Sequence, residues 1–166
     1  MIPELGHFSL IIALAIALTL GTLPMWGAAR NNPVLMGVAR PLAYAQFLFM
    51  AFAFGTLAYA FLSNDFSVLD VAQHSSSRLP AHYRFSAIWG GHEGSLLLWA
   101  LILSVWTMAV ATFSKHLPQE MVARVLAVMG LVSVGFLLFM LFTSSPFERL
   151  LPAALDGRDL NPLLQD

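Results

Sequence analysis

The sequence predicts an all-α, polytopic membrane helix bundle with four transmembrane helices. Of the 166 residues, 58% are hydrophobic and only 10% are charged, whereas a soluble domain has about 25% charged residues. The few charges are also clustered, and they leave four uncharged stretches. Each stretch is long enough for the roughly 20 apolar residues that a helix needs to cross the hydrocarbon core. The short alternating segments of a transmembrane β-barrel are not apparent.

Each predicted span corresponds to one of these uncharged stretches. The first follows a seven-residue start that contains Glu4 but no lysine or arginine, so a transmembrane helix is expected rather than a cleaved signal peptide. A long loop at 64–93 separates the second and third spans, and a tail at 148–166 follows the fourth. We predict spans at about 8–29, 41–63, 94–114 and 125–147.

The orientation is predicted from the basic residues of the two short loops. Arg30 and Arg40 flank one short loop, and Lys115 and Arg124 flank the other. Basic residues directly beside span ends favour the cytoplasmic side. We therefore expect both ends of this chain and the long loop to lie on the outer side of the membrane.

Charge and residue usage exclude several functions. Eight basic and nine acidic residues give a net charge of −1, which is not the basic footprint of a nucleic-acid-binding protein. The chain has no cysteine, and the spacing of its five histidines matches no zinc signature. The predicted spans contain no ionisable residue, whereas such residues usually mark the pathways of pumps and transporters. We therefore expect no nucleic-acid partner and no metal site, and membrane lipid as the surroundings.

The segment "WGGHEGSLLLW" at 89–99 is the strongest local motif. One interpretation is structural: Ser95 caps the third span, and Glu93 lies at the positive end of its helix dipole. The other is functional: Trp89, His92, Glu93 and Trp99 form an external platform for a ligand or partner. A histidine beside a carboxylate suits a haem edge, a metal or a proton path.

Two motifs give the sequence a resemblance to a known family. "WGGHEGSLLLW" at 89–99 and "DGRDLNPLLQD" at 156–166, together with "NDFSVL" at 64–69 and the segment 122–147, resemble the N-terminal part of the CcmF family. These are the large haem-lyase subunits of bacterial system I cytochrome c maturation. The first motif is also similar to haem-handling proteins of system II.

The resemblance implies a multi-pass protein of the bacterial inner membrane, with both ends of this chain periplasmic. It implies haem as the cofactor and, as partners, other cytochrome c maturation subunits, a haem chaperone and apocytochrome c. The family's haem-ligand histidines lie beyond the part matched here, so no catalytic residue is assigned. Lyase activity is expected only for the full-length protein and its complex. The second motif contains the expected lead-in to a partner or haem site: Asp156, Arg158, Asp159 and Asn161.

Three functions remain possible from the sequence. The first is the N-terminal part of a haem lyase subunit, acting as a scaffold and external platform. The second is a non-catalytic membrane assembly module, and the third is part of a membrane transporter or channel. The third function is disfavoured, because the sequence lacks the broken mid-span helices that transporters use. Haem that copurifies with the protein would distinguish the first function from the second.

Overall fold

The computed structural model describes residues 1–157 and contains no strand in that part of the chain. Four helices are long and apolar enough to cross a membrane, which confirms the predicted all-α bundle with four transmembrane helices. Three short helices and a 3₁₀ turn (Ala87–Trp89) lie between them. In chain order the helices are α1 (Ile2–Ala29), α2 (Pro33–Gly37), α3 (Ala39–Leu62), α4 (Leu69–His74), α5 (Ala81–Ser86), α6 (His92–Phe113) and α7 (Gln119–Phe142).

The four long helices form a bundle in which α1 and α6 each pack against both α3 and α7. Small residues bring α1 and α7 close together. A Cβ atom at Gly130 of α7 would lie 3.0 Å from the backbone nitrogen of Gly21 and 3.2 Å from the carbonyl oxygen of Ala17. Such small residues allow membrane helices to approach each other closely. Ala13, Ala17 and Gly21, which recur every four residues along α1, are all buried.

Helix α7 is displaced along the chain from the predicted fourth span. The prediction is about 125–147, whereas α7 runs from Gln119 to Phe142. It begins directly after Pro118 and includes Arg124, whose guanidinium lies 2.6 Å from Glu120 on the same exposed face. The charge gap marks the apolar centre of a helix and not its ends. Beyond Phe142, Pro146 is unsuited to continuing the helix.

The end of the bundle that holds the two short loops is fixed by side-chain contacts to backbone carbonyls. Asn32 caps α2 by accepting hydrogen bonds from the amides of Val34 (3.0 Å) and Leu35 (3.3 Å). Gln119 donates to the carbonyl of Pro33, and Arg40 donates to the carbonyl of Ser114. These contacts tie both short loops together, so the basic residues that predict orientation share one end of the bundle.

The opposite end, which we call the long-loop end, is more folded than the sequence suggests. The apolar residues of 64–77 are expected to lie on a membrane surface, but Val68 and Val71 are fully buried. They join the main apolar cluster together with Phe61 and Ile88. The tail also pairs with the long loop through backbone bonds from Leu69 N to Glu148 O and from Leu150 N to Ser67 O, both 2.9 Å.

Candidate functional site

The glycine turn, residues 89–94, leads from the 3₁₀ turn into α6. Gly91 is the N-cap residue and no side chain caps the helix, so the predicted cap by Ser95 is not formed. The Ser95 hydroxyl instead donates to the carbonyl of Trp89 at 2.9 Å. Glu93 does lie in the first turn of α6, where the helix dipole favours a negative charge.

His92 and Glu93 meet at one hydroxyl group beyond the end of α7. The Oγ of Ser144 donates to Glu93 Oε1 at 3.4 Å and lies 3.0 Å from His92 Nδ1. A hydroxyl has one proton to donate; when Ser144 gives it to Glu93, Nδ1 of His92 is the donor in the second bond. This leaves Nε2 of an exposed imidazole as the nitrogen that can accept a proton or bind a ligand. The ring of Phe139 packs against the same imidazole in a T-shaped arrangement, with ring centroids 6.0 Å apart.

A second polar pair lies beneath the glycine turn, within α4. His74 Nδ1 is 2.9 Å from Asp70 Oδ1 and 3.0 Å from the Asp70 carbonyl oxygen. The Asp70 side chain is 2% exposed, and the His74 side chain is 26% exposed. Burial raises the pKa of Asp70, while the neighbouring Asp70 raises the pKa of His74. This pair was not predicted from the sequence, although its four-residue spacing is the one that brings helical side chains together.

The two tryptophans of the motif occupy different surroundings. Trp89 is partly exposed and packs edge-on against Phe85, with ring centroids 5.6 Å apart. Trp99 lies two helical turns beyond His92, about 10 Å along α6. It lines an open apolar groove of about 260 Å³ together with Ile102, Leu103 and Trp106. The motif residues therefore form two regions, one polar at the glycine turn and one aromatic along the helix.

The tail lies against the long loop. The carboxylate of Asp156 accepts from the backbone amide of Ser77 at 3.2 Å and from the Ser77 hydroxyl. Gly157 packs so closely against the Ser75 carbonyl that a Cβ atom would collide with it. The other residues of the predicted lead-in, Arg158, Asp159 and Asn161, lie outside the described residues.

An open cavity of about 460 Å³ lies at the long-loop end between α1 and the segment after α7. Arg149 is at its edge, with Nε 3.0 Å from Glu4 Oε1. Its guanidinium also contacts Ser67 and lies 3.7 Å from Asp65. No local sequence pattern predicts this contact, because it joins residues from three distant parts of the chain.

These groups can form hydrogen bonds, exchange protons or present one imidazole, but they do not form a metal centre. Among residues 1–157, no cluster of three or more histidine, cysteine, aspartate or glutamate side chains is arranged to hold a metal ion. His92 and His74 are fixed by different partners, Ser144 and Asp70. A haem in contact with the glycine turn would therefore find a single exposed imidazole there, that of His92.

Comparison with known proteins gives consistent results. Residues 89–166 match the Cytochrome C assembly protein family. The chain is 62% identical to the cytochrome c-type biogenesis protein CcmF of Pseudomonas aeruginosa and 56% identical to that of Escherichia coli. Both alignments include 100% of this chain, but they cover 25% and 26% of those relatives. The chain thus spans about a quarter of their length.

The fold agrees with a solved structure described as the cytochrome c heme lyase CcmF. The superposition has a TM-score of 0.84 at 31% sequence identity. It covers 89% of this chain and 25% of that one.

Proposed function

The chain belongs to the CcmF family of cytochrome c-type biogenesis proteins and corresponds to its N-terminal portion, and from this we propose that it is the scaffold and external platform of a haem lyase subunit. The reaction expected by resemblance joins haem vinyl groups to the cysteine thiols of an apocytochrome. In this proposal the residues described here do not perform that chemistry alone. They hold a polar surface beside which haem and partner subunits bind.

The main support is the joint contact of His92 and Glu93 with Ser144. It fixes an exposed imidazole with Nε2 directed away from its hydrogen-bonded partner. The family match begins at Trp89, the first residue of the glycine turn. A helix cap alone needs no histidine at this position, because Gly91 already serves as the N-cap residue.

For location, we propose the bacterial inner membrane, with the long-loop end in the periplasm. The chain is a multi-pass membrane protein with Arg30, Arg40, Lys115 and Arg124 around the short loops. Basic residues in such short loops favour the cytoplasmic side. This orientation places the glycine turn and Asp156 on the side where c-type cytochromes are assembled. Expected partners are other cytochrome c maturation subunits, a haem chaperone and the apocytochrome.

For haem, the residues fit a point of contact but not a complete site. His92 Nε2 could provide one axial nitrogen, and the nearby Phe139 ring gives an apolar neighbour. His82, another histidine of the long loop, is exposed and stacks on Tyr83, with ring centroids 4.3 Å apart. We therefore propose that His92 and Trp89 contact haem only in the full-length protein, where further ligands are expected by resemblance.

The test replaces His92 with alanine or Glu93 with glutamine in the full-length protein. If the pair forms a functional platform, holocytochrome c should fall while the amount of membrane protein is maintained. The yield is measured by haem staining, and the protein by immunoblot. His82→Ala is the matched control, because it removes an exposed imidazole from the same loop.

Two results would contradict the proposal. Normal holocytochrome c in both variants would exclude a role for the pair. A decrease that merely follows lower protein levels would indicate a structural role, since loss of a hydrogen bond such as those to Ser144 costs about 0.5–1.5 kcal/mol. A transporter role has less support, because the apolar centres of the four long helices contain no charged residue.

A further inference from the structure

The Asp70–His74 pair lies directly against the backbone of the glycine turn. A Cβ atom at Gly91 would lie 2.6 Å from Asp70 Oδ1 and 2.6 Å from His74 Cε1. At Gly94 it would lie 3.2 Å from Asp70 Oδ2. All three distances are shorter than ordinary van der Waals contact. The glycines therefore allow the turn to rest on the pair, and the two residues that follow Gly91 are His92 and Glu93.

Protonated His74 supplies the positive charge that balances the carboxylate of Asp70. This carboxylate is buried, and neither oxygen accepts a further hydrogen bond from the described residues. A buried charge is tolerated only when it is paired or when it is neutralised by a proton. Glu93, on α6, is the charged group of another element that acts on the pair, and its field raises the pKa of both Asp70 and His74.

We propose that Asp70 and His74 are positioning residues: as a buried pair they hold the glycine turn in place and thereby set the position of His92 and Glu93. They need not touch haem or a partner. Their importance for cytochrome maturation rests on the proposed function of the glycine turn. Their effect on the position of the turn is independent of that proposed function.

This role predicts a direction for the pH dependence. Asp70 raises the pKa of His74, so the protonated imidazole is favoured in the folded protein. Its contribution is complete below the ordinary histidine pKa of 6.5 and is lost as pH rises through the raised value. The buried carboxylate then loses its counter-charge. At acid pH Asp70 takes up a proton. The neutral carboxyl no longer carries the free-energy cost of a buried charge, but it also no longer forms an ion pair with His74. The turn should therefore loosen on the alkaline side.

The experiment measures how accessible the turn is to a water-soluble maleimide in the full-length protein. Ser95→Cys places a thiol at the position of the serine hydroxyl, which donates a hydrogen bond to the Trp89 carbonyl oxygen. Ser86→Cys places a reference thiol on the exposed surface of α5. Because residues 1–166 contain no native cysteine, peptide mass spectrometry assigns each product to its position. The ratio of the two labelling rates cancels the ordinary ionisation of a thiol.

His74→Gln should raise this ratio at least about tenfold, because it leaves a buried carboxylate without its counter-charge, and 1.4 kcal/mol corresponds to a factor of ten. Asp70→Asn should raise the ratio less, since the remaining side chain is uncharged. The double variant should show a smaller effect than His74→Gln alone, because no charge is left stranded. Glu148→Gln, which neutralises an exposed carboxylate at the same end, is the control and should leave the ratio within about twofold.

In the unsubstituted background the ratio should rise as pH increases above 6.5. An unchanged ratio in His74→Gln, or a ratio independent of pH, would overturn the proposal. If the variants do not accumulate in the membrane, the pH dependence of the labelling ratio in the unsubstituted background tests the positioning role. A loosened turn with normal holocytochrome c would leave the positioning role intact and contradict the proposed function. A loosened turn with a yield as low as that of His92→Ala supports both.

Discussion

Adding one methyl group at Gly94 should push the start of α6 away from the 3₁₀ turn that contains Ile88. The Cβ atom would lie 2.9 Å from the carbonyl carbon of Ile88 and closer still to its oxygen. It would also lie 3.2 Å from Asp70 Oδ2. The carbonyl belongs to the backbone and cannot rotate away as a flexible side chain can. Gly94→Ala therefore requires the start of α6 to move.

The expected magnitude combines opposing contributions. Alanine in place of glycine within a helix ordinarily stabilises by about 0.5–1 kcal/mol. Forcing extra volume into a well-packed region costs about 1–3 kcal/mol. Movement of α6 also weakens the bond between His92 and Ser144, a bond of a type worth about 0.5–1.5 kcal/mol. The net expectation for Gly94→Ala is a decrease of about 1–3 kcal/mol in the free energy of unfolding.

Gly55 provides a matched control. It lies within α3, and a Cβ atom there would meet no atom within 4 Å. Gly55→Ala makes the same chemical change in a long helix without a collision, so stability should be unchanged or higher. Thermal unfolding of the detergent-purified protein compares the two variants, and each kcal/mol corresponds to about 2–4 °C for a domain of this size. A Gly94→Ala variant as stable as Gly55→Ala would refute the close contact between α6 and Ile88.

Two further predictions concern topology and haem. Alkaline phosphatase fused after Ser76 should be active and a fusion after Asn32 inactive, because the enzyme needs the disulfide-forming periplasm; the reverse pattern would place the glycine turn in the cytoplasm. The chain of residues 1–166, purified in detergent, should be colourless and should give no low-spin bis-histidine spectrum on addition of haem, with the full-length protein as the positive control. The reason is that a haem held by one loop imidazole has an iron open to water on its other side, and ordering loop residues costs about 1–2 kcal/mol each. A stoichiometric Soret band that disappears when His74, His82 and His92 are replaced would show that the long loop itself binds haem.

The helices were predictable because their signal is local. An uncharged stretch of sufficient length predicts a span whatever its neighbours are. Helix ends were less predictable, since charged pairs such as Glu120 and Arg124 extend a helix beyond its apolar centre. The burial of Val68 and Val71 was missed because polar residues flank them in sequence, and their apolar cluster includes residues from distant segments, such as Leu10 and Phe147.

The candidate site was only partly predictable for the same reason. The pattern at 89–99 identified His92 and Glu93 but not Ser144, which lies 52 residues beyond His92. Asp70 and His74 stood in a segment expected on the membrane surface, where such a pair would be unremarkable. Their importance depends on the absence of a side chain at Gly91, and no sequence pattern reveals what a glycine lies against. The roles of these residues stay predictions until the variants are measured.

Polar contacts at the long-loop end fix the orientation of the segments that meet there, whereas the apolar contacts of the bundle hold its helices together. Close packing of side chains between membrane helices holds the helices together, but it does not fix how loop, tail and N-terminus meet. Arg149 fixes the relative orientation of these segments, because its planar guanidinium bonds Glu4 and Ser67 simultaneously. Glu4 is 58% exposed, and pairs of this kind contribute only about 0.2–1 kcal/mol. Arg149 should therefore affect the geometry of the end that presents the glycine turn more than it affects the stability of the bundle.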